Sequence, residues 1–297
     1  MIKVYLRYSI LVLFLFPNAL SSQELFIGIS GGLSNYQGDL LNNISTLSQS
    51  RAVGGIYVQL YPFPYLSISG GFNFAKIGAA DKFNVQPDLR ARNLSFVSNL
   101  QEGYLTLQID FFNYERIKIT PYIFGGVALF HYNPYTYDTG GEKVFLHSLT
   151  TEAQGSPAYP EHPPYKLTNY SLPFGGGITY HVTQLISVGA QLGFRKTFTD
   201  YLDDVSTTYP DQETLLQYAG QKSVELTFRG DELNSSAPYP SSTGVRGDPN
   251  YKDWYYFTVI KLGVSLSGIH FKTGGKNFGY GNTQRKLSKK KISCPKF

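Results

Sequence analysis

One cysteine, one methionine and one tryptophan occur in 297 residues. A lone cysteine excludes an internal disulfide framework. No apolar run reaches the roughly 20 residues of a membrane-spanning helix. No stretch sustains a helical apolar period either, which excludes helical bundles. Chemistry-bearing motifs are also lacking. His131, His147, His162, His181 and His270 show no HxH, HExxH or His–Cys spacing suited to a metal, and are read as solvated. FGGGI at 174–178 precedes no Lys-Ser/Thr pair, so its glycines are expected to allow sheet bending or close packing rather than to hold phosphate. His181 beside Thr183 lacks the partners of an activated nucleophile. No catalysis, cofactor, metal, nucleic-acid partner or small-molecule substrate is expected.

What is abundant is aromatic residues and glycine: 24 Tyr, 21 Phe and 30 Gly. Aromatics favour strands and glycine weakens helices, so the chain is expected to be all-β. At the N-terminus, Lys3 and Arg7 precede an apolar Ser9–Phe16 run and small residues at Ala19–Ser22. That order is a signal peptide over 1–22, cleaved after Ser21 or Ser22, and the protein is exported. A main domain then spans 23–266 and a basic tail 267–297.

Eight segments alternate with period two, near residues 24–34, 52–61, 65–77, 103–112, 118–132, 170–181, 184–199 and 253–266. In the clearest, Leu105, Leu107, Ile109 and Phe111 share one face, and Tyr104, Thr106, Gln108 and Asp110 the other. Short links at 62–64, 113–117 and 182–184 alternate with long ones at 35–51, 78–100, 133–169 and 200–252. This rhythm predicts an eight-stranded antiparallel transmembrane β-barrel of the outer membrane, with short periplasmic turns and long extracellular loops. An even strand number puts both termini in the periplasm. Aromatic girdles are expected from Phe63, Tyr65, Phe111, Phe112 and Tyr114 at the short-turn end. Tyr36, Tyr132, Tyr201, Trp254 and Tyr255 are expected to form the other.

Eight strands leave a lumen that side chains fill, so no general pore is expected. Glu24, Glu102, Asp110, Arg195 and Lys261 point inward. Unpaired buried charge is costly, so Glu102 is expected to pair with Arg195, and Asp110 or Glu24 with Lys261. Asp200, Asp203 and Asp204 follow the seventh strand without the spacing of a calcium loop, and are read as a solvated loop start.

Three motifs in order, SNYQGDL at 34–40, FTDYLDDVS at 198–206 and the terminal CPKF at 294–297, resemble the PorG family. Its members are outer-membrane β-barrel components of the type IX secretion system of Bacteroidota. The resemblance spans nearly the whole mature chain, although loops 133–169 and 200–252 exceed the family pattern. Its motif residues here are Asn35, Tyr36, Gly38, Asp39, Asp200, Tyr201, Asp203 and Asp204. It implies a non-enzymatic structural component that docks a periplasmic ring of a lipoprotein and its partner, in a machine for protein secretion and gliding motility.

Eight of the 26 Lys and Arg lie in 267–297 with no acid, so the rest of this +5 chain sums to −3. The tail is either a basic end near anionic headgroups or a docking peptide for an acidic partner. The second reading is favoured, through Lys289, Lys290, Lys291, Cys294, Pro295, Lys296 and Phe297. Cys294 is then an intermolecular disulfide, a ligand or an unpaired thiol. The competing function is an independent barrel that binds an external ligand or adhesin partner through its long loops.

Overall fold

The computed structural model of the chain describes residues 24–41 and 47–266. The segment read as a signal peptide and the basic tail with Lys289–Lys291 and Cys294–Phe297 lie outside the described residues.

Eight long strands form the wall: β1 (Glu24–Gln37), β2 (Arg51–Phe63), β3 (Leu66–Ala80), β4 (Ser95–Asp110), β5 (Ile119–Tyr137), β7 (Thr168–His181), β8 (Ile186–Thr197) and β9 (Trp254–Ser265). Each pairs antiparallel with its neighbours in sequence, omitting the three-residue β6 (Lys143–Phe145), which adds to the far end of β5. β1 also pairs with β9, from Phe26 opposite Ser265 to Gln37 opposite Trp254. The sheet therefore closes, leaving every wall strand with two neighbours. Closure is what a spanning sheet needs, because lipid offers no partners for backbone N–H and C=O groups.

The outer face carries an apolar belt, including Leu105, Leu107 and Ile109 on β4, Ile56 and Val58 on β2, and Ile260, Leu262 and Val264 on β9. Burying one such side chain is worth about 1.5–3 kcal/mol, so a contiguous belt of them fits lipid and not water. The chain thus folds as an outer-membrane-type, closed eight-stranded antiparallel β-barrel.

Several strands run past the belt, and there the faces exchange character. On β3 the inward residues change from Ser67, Ser69 and Asn73 to Ala75, Ile77 and Ala79, while outward Phe72 and Phe74 give way to Lys76. On β4 the inward Glu102, Thr106 and Gln108 give way to Leu100 and Phe96, with Gln101 and Asn99 facing out. Above the belt water wets the outside, so the apolar face turns inward. A core of soluble-protein type results, built from Ile77, Phe96, Leu100, Phe130, Tyr132 and Phe257 with loop residues Leu40, Leu146, Leu202 and Leu226. This inversion corrects the expected loops: 78–100 shrinks to 81–94, and β5 continues to Tyr137.

The loops fold into an ordered cap containing the helices α1 (Pro87–Arg92), α2 (Gln212–Ala219) and α3 (Gln221–Thr227). The Asp211 carboxylate caps α2 by accepting from the Thr214 amide at 2.9 Å. On α3, the hydroxyls of Ser223 and Thr227 donate to the carbonyls of Leu149 and Thr151, at 2.7 and 2.9 Å. Those bonds join the two longest loops. Small polar residues at one-turn spacing made this segment hard to read as helical.

The girdles also need correction. Tyr36, Tyr132 and Tyr255 are at most 1 % exposed inside the upper core, not at the lipid interface. Tyr201 stacks on Tyr165 within the cap, with ring centres 4.6 Å apart. Only Trp254 of that set lies on the outer wall, against Phe174. At the short-turn end, Phe63, Tyr65, Phe111 and Phe112 are exposed, whereas Tyr114 is buried. It packs with Phe26 and Tyr61 and stacks on His181 at 5.1 Å, which plugs the barrel floor. His181 is therefore buried rather than solvated. In the FGGGI segment, a Cβ at Gly177 would collide with the Tyr122 ring, so the glycine makes room for an aromatic side chain.

Candidate functional site

Inside the barrel, Arg195 Nε and Nη2 donate to Glu102 Oε2 and Oε1 at 3.1 and 3.2 Å. Tyr255 Oη and Asn73 Nδ2 complete the Glu102 carboxylate, each at 2.7 Å. The guanidinium also lies over the Phe257 ring, 4.0 Å from its centre. The expected lower pair is not made. Among the described residues, no ion pair joins Lys261 to Asp110 or Glu24. Lys261 instead donates to Gln191 Oε1 at 3.4 Å and sits 4.4 Å above the Tyr57 ring. Asp110 accepts from Gln108 at 2.9 Å. Glu24 lies six positions below Ser30, the register partner of Lys261, which separates them by about 20 Å.

Above the lumen, the two motifs SNYQGDL and FTDYLDDVS meet. Near the end of β1, Asn35 and Tyr36 are both buried, with Asn35 Oδ1 accepting from Ser50 Oγ at 2.6 Å. The chain then turns through Gly38, whose amide bonds the Leu41 carbonyl at 3.1 Å. A Cβ on Gly38 would strike the Asp253 carboxylate and the Tyr36 hydroxyl, so only glycine permits this approach. Tyr36 Oη lies 2.6 Å from Asp203 Oδ2 and 2.9 Å from Asp253 Oδ1. The second oxygens of these two carboxyls accept from the Val205 and Leu202 amides. One phenolic hydrogen cannot fully serve two carboxylates. Burial pushes both well above the usual carboxylate range, with Asp39 adding to Asp203 and Asp203 to Asp253. The pair therefore retains protons that exposed aspartates would lose.

Asp204 has positive φ, and accepts from Thr151 Oγ1 at 2.5 Å and Tyr165 Oη at 2.7 Å. Burial raises it to about 6 against the opposing pull of Arg246. Arg246 in turn pairs with Glu152 at 2.8 Å. Glu152 also accepts from the Ser206 and Thr207 amides, the Thr207 hydroxyl and Tyr201 Oη. A second arginine, Arg92, forms two bonds to Asp81 at 2.7 and 2.8 Å. Its remaining hydrogens reach the backbone carbonyls of Arg246 and Asp39.

Among the described residues, the Asp39 carboxylate accepts only the Asp248 amide, at 3.1 and 3.2 Å. Burial first, then Asp200, pushes it up to about 7. Asp200 accepts from Ser206 Oγ at 2.7 Å and is likewise pushed by burial to about 7. Its Oδ1 is buried without a hydrogen-bond partner among the described residues. The cap thus gathers Asp39, Asp81, Glu152, Asp200, Asp203, Asp204 and Asp253 around the buried Arg92 and Arg246. The solvated loop start expected at Asp200, Asp203 and Asp204 is a buried network instead. Tertiary closure puts these acids under loops that sequence spacing does not connect. Among the described residues, no three His, Cys, Asp or Glu converge as a metal-ligand set. The arrangement can store protons and latch loops.

Glu152, Arg246, Arg92, Asp81 and Asp253 went unnoticed in sequence. Glu152, Arg246 and Asp81 lie in aperiodic connecting segments, and Arg92 closes the short helix α1, places where a charged residue is ordinarily solvated. Only Asp253, directly before Trp254 at the start of a strand, carried a positional signal.

A family model described as a domain of unknown function (DUF6089) matches residues 5–150. No curated protein matches the chain. Among solved structures it is similar to Neisserial surface protein A (9 % identity, TM-score 0.41), covering 82 % of this chain and 98 % of that one. It is also similar to Ail of Yersinia pestis, solved with the heparin analogue sucrose octasulfate (8 %, TM-score 0.38, 82 % and 97 %). A third is the N-terminal β-barrel domain of Pseudomonas aeruginosa OprF (8 %, TM-score 0.36, 82 % and 100 %).

Proposed function

We propose that this chain is a non-conducting outer-membrane barrel that anchors a periplasmic assembly, as a PorG-like structural component of a type IX secretion and gliding machine. The observation that carries the reading is the position of the last strand. β9 ends at Ser265 opposite Phe26, at the short-turn end and away from the cap. The described chain therefore ends on the short-turn side, and in this reading that side faces the periplasm, together with both termini and the basic tail. A lumen occupied by Glu102, Arg195, Tyr255 and Phe257, above an aromatic floor, suits an anchor better than a pore. Lys289, Lys290, Lys291 and Lys296 give the tail its attraction for an acidic face of the ring lipoprotein or its partner, and for anionic outer-membrane lipid. Cys294 supplies a thiol for a crosslink to that face.

A crosslinked pull-down from outer membranes tests the reading, comparing the full chain with one stopped at Ser267. The full chain should recover ring proteins and the shortened chain should not. Equal recovery removes the tail from the mechanism, and recovery by neither removes the anchor. The competing reading, an external ligand or partner held by the loops, draws support from the ordered cap at the opposite end.

A further inference from the structure

A cleft of about 670 Å³ opens in the cap between α1, the 228–248 segment and the Asp39 turn. That volume lies in the range of small-molecule sites, roughly 300–1,000 Å³. Its walls are apolar, with Leu89, Tyr209, Phe228, Leu233, Pro240 and Val245 lining it. Leu233 and Val245 are strongly exposed, at 63 and 75 %. The Tyr209 and Phe228 rings meet edge to face with centres 6.1 Å apart, presenting aromatic surface to the cleft.

The polar groups of the cleft are unbalanced. Asp39, Asp88 and Asp248 line it together with Arg92 and Arg246. Both arginines are already engaged behind the wall, Arg92 by Asp81 and Arg246 by Glu152. Neither bonds the side chain of any of the three aspartates. Among the described residues, the Asp39 carboxylate takes only a backbone amide, and Asp248 accepts from its near neighbour Asn250. Among the described residues, none of the three has a cationic side-chain nitrogen within 4 Å. An apolar cleft with aromatic faces and carboxylates that lack a salt-bridge partner is complementary to an ammonium or guanidinium group bearing a hydrocarbon body. An anion meets the same three charges as repulsion.

We propose that this cleft is a binding site for a small apolar organic cation, whose charge sits against Asp39 and Asp88 while its hydrocarbon packs on Phe228, Leu233 and Val245. The site lies at the opposite end of the barrel from Ser265, where β9 ends, so it stands or falls independently of the anchoring role.

The test uses the full chain in nanodiscs of uncharged lipid, with empty discs as the blank, at about pH 8 so that carboxylates are ionised. Phenethylammonium is the probe. Phenylacetate and phenethyl alcohol, with the same ring, serve as charge controls. Calorimetric titration should show saturable binding of the ammonium, with the alcohol about tenfold weaker and the carboxylate not bound. Asp39→Asn keeps an acceptor for the Asp248 amide, and Asp88→Asn changes an exposed side chain, so both should fold. At least one should weaken the ammonium about tenfold while leaving the alcohol unchanged. Binding that ignores the sign of charge, unchanged affinity in both variants, or no saturable signal above empty discs would each overturn the proposal.

Discussion

Arg195 and Glu102 sit on strands far apart in sequence, yet share two hydrogen bonds across the lumen, both residues at most 4 % exposed. Removing one partner leaves a buried charge uncompensated. Arg195→Ala should therefore destabilise the barrel by about 3–5 kcal/mol. The double variant Glu102→Leu/Arg195→Met should recover most of that loss. The temperature at which the compact gel band converts to the unfolded one reads both effects.

The same filling predicts electrical silence. Phe130, Tyr255, Phe257 and the ion pair occupy the upper lumen, and Phe26, Tyr61, Tyr114 and His181 close the floor. Purified protein in planar bilayers should show no steady ion conductance. A stable open channel would contradict the packing.

Cap stability should fall as pH rises. Asp39 and Asp200 are both held near 7, against about 3.9 in an unfolded chain. A raised folded-state value favours the protonated cap, so stability is highest below about pH 4 and declines through about pH 7. The charge of Glu152 raises both groups and that of Asp203 raises Asp200, and Asp253 is itself raised, while Arg92 near Asp39 and Lys252 near Asp200 oppose the trend. Urea unfolding of the cap, followed by near-ultraviolet circular dichroism at about pH 5 and pH 8, should show the loss. The double variant Asp39→Asn/Asp200→Asn should flatten it.

Among the described residues, Tyr36 is the only side chain that donates to both Asp203 and Asp253. Tyr36→Phe leaves two buried carboxyls without that hydrogen and should cost about 1–3 kcal/mol. Adding Asp203→Asn removes one of the competing charges and should return part of the stability. Denaturant midpoints of the two variants decide it. Equal midpoints for Tyr36→Phe and wild type would show that the hydroxyl carries no stability.

The all-β wall, the eight strands and the alternation of short and long connections were all legible in the residues. Period-two patterning and loop length are local properties, and the belt strands 52–61 and 65–77 display them without help from tertiary contacts. The pairing of Glu102 with Arg195 was legible too, because both must face inward and lie at similar depth. Harder to read were the upper barrel and the cap. In 75–80 and 95–101 the alternation persists but its apolar face turns inward, since the outer surroundings change from lipid to water. A periodicity reading that assumes one solvent takes such stretches for loop. The burial of Asp200, Asp203 and Asp204 depended on Tyr36, Glu152, Arg246 and Asp253 arriving from four other places in the chain. Sequence alone determined that there is a barrel and which strand faces carry the apolar belt, because lipid imposes a rule on every strand separately. Only the tertiary structure decided that the loops close over a buried acidic network, because charge burial depends on which distant segments meet.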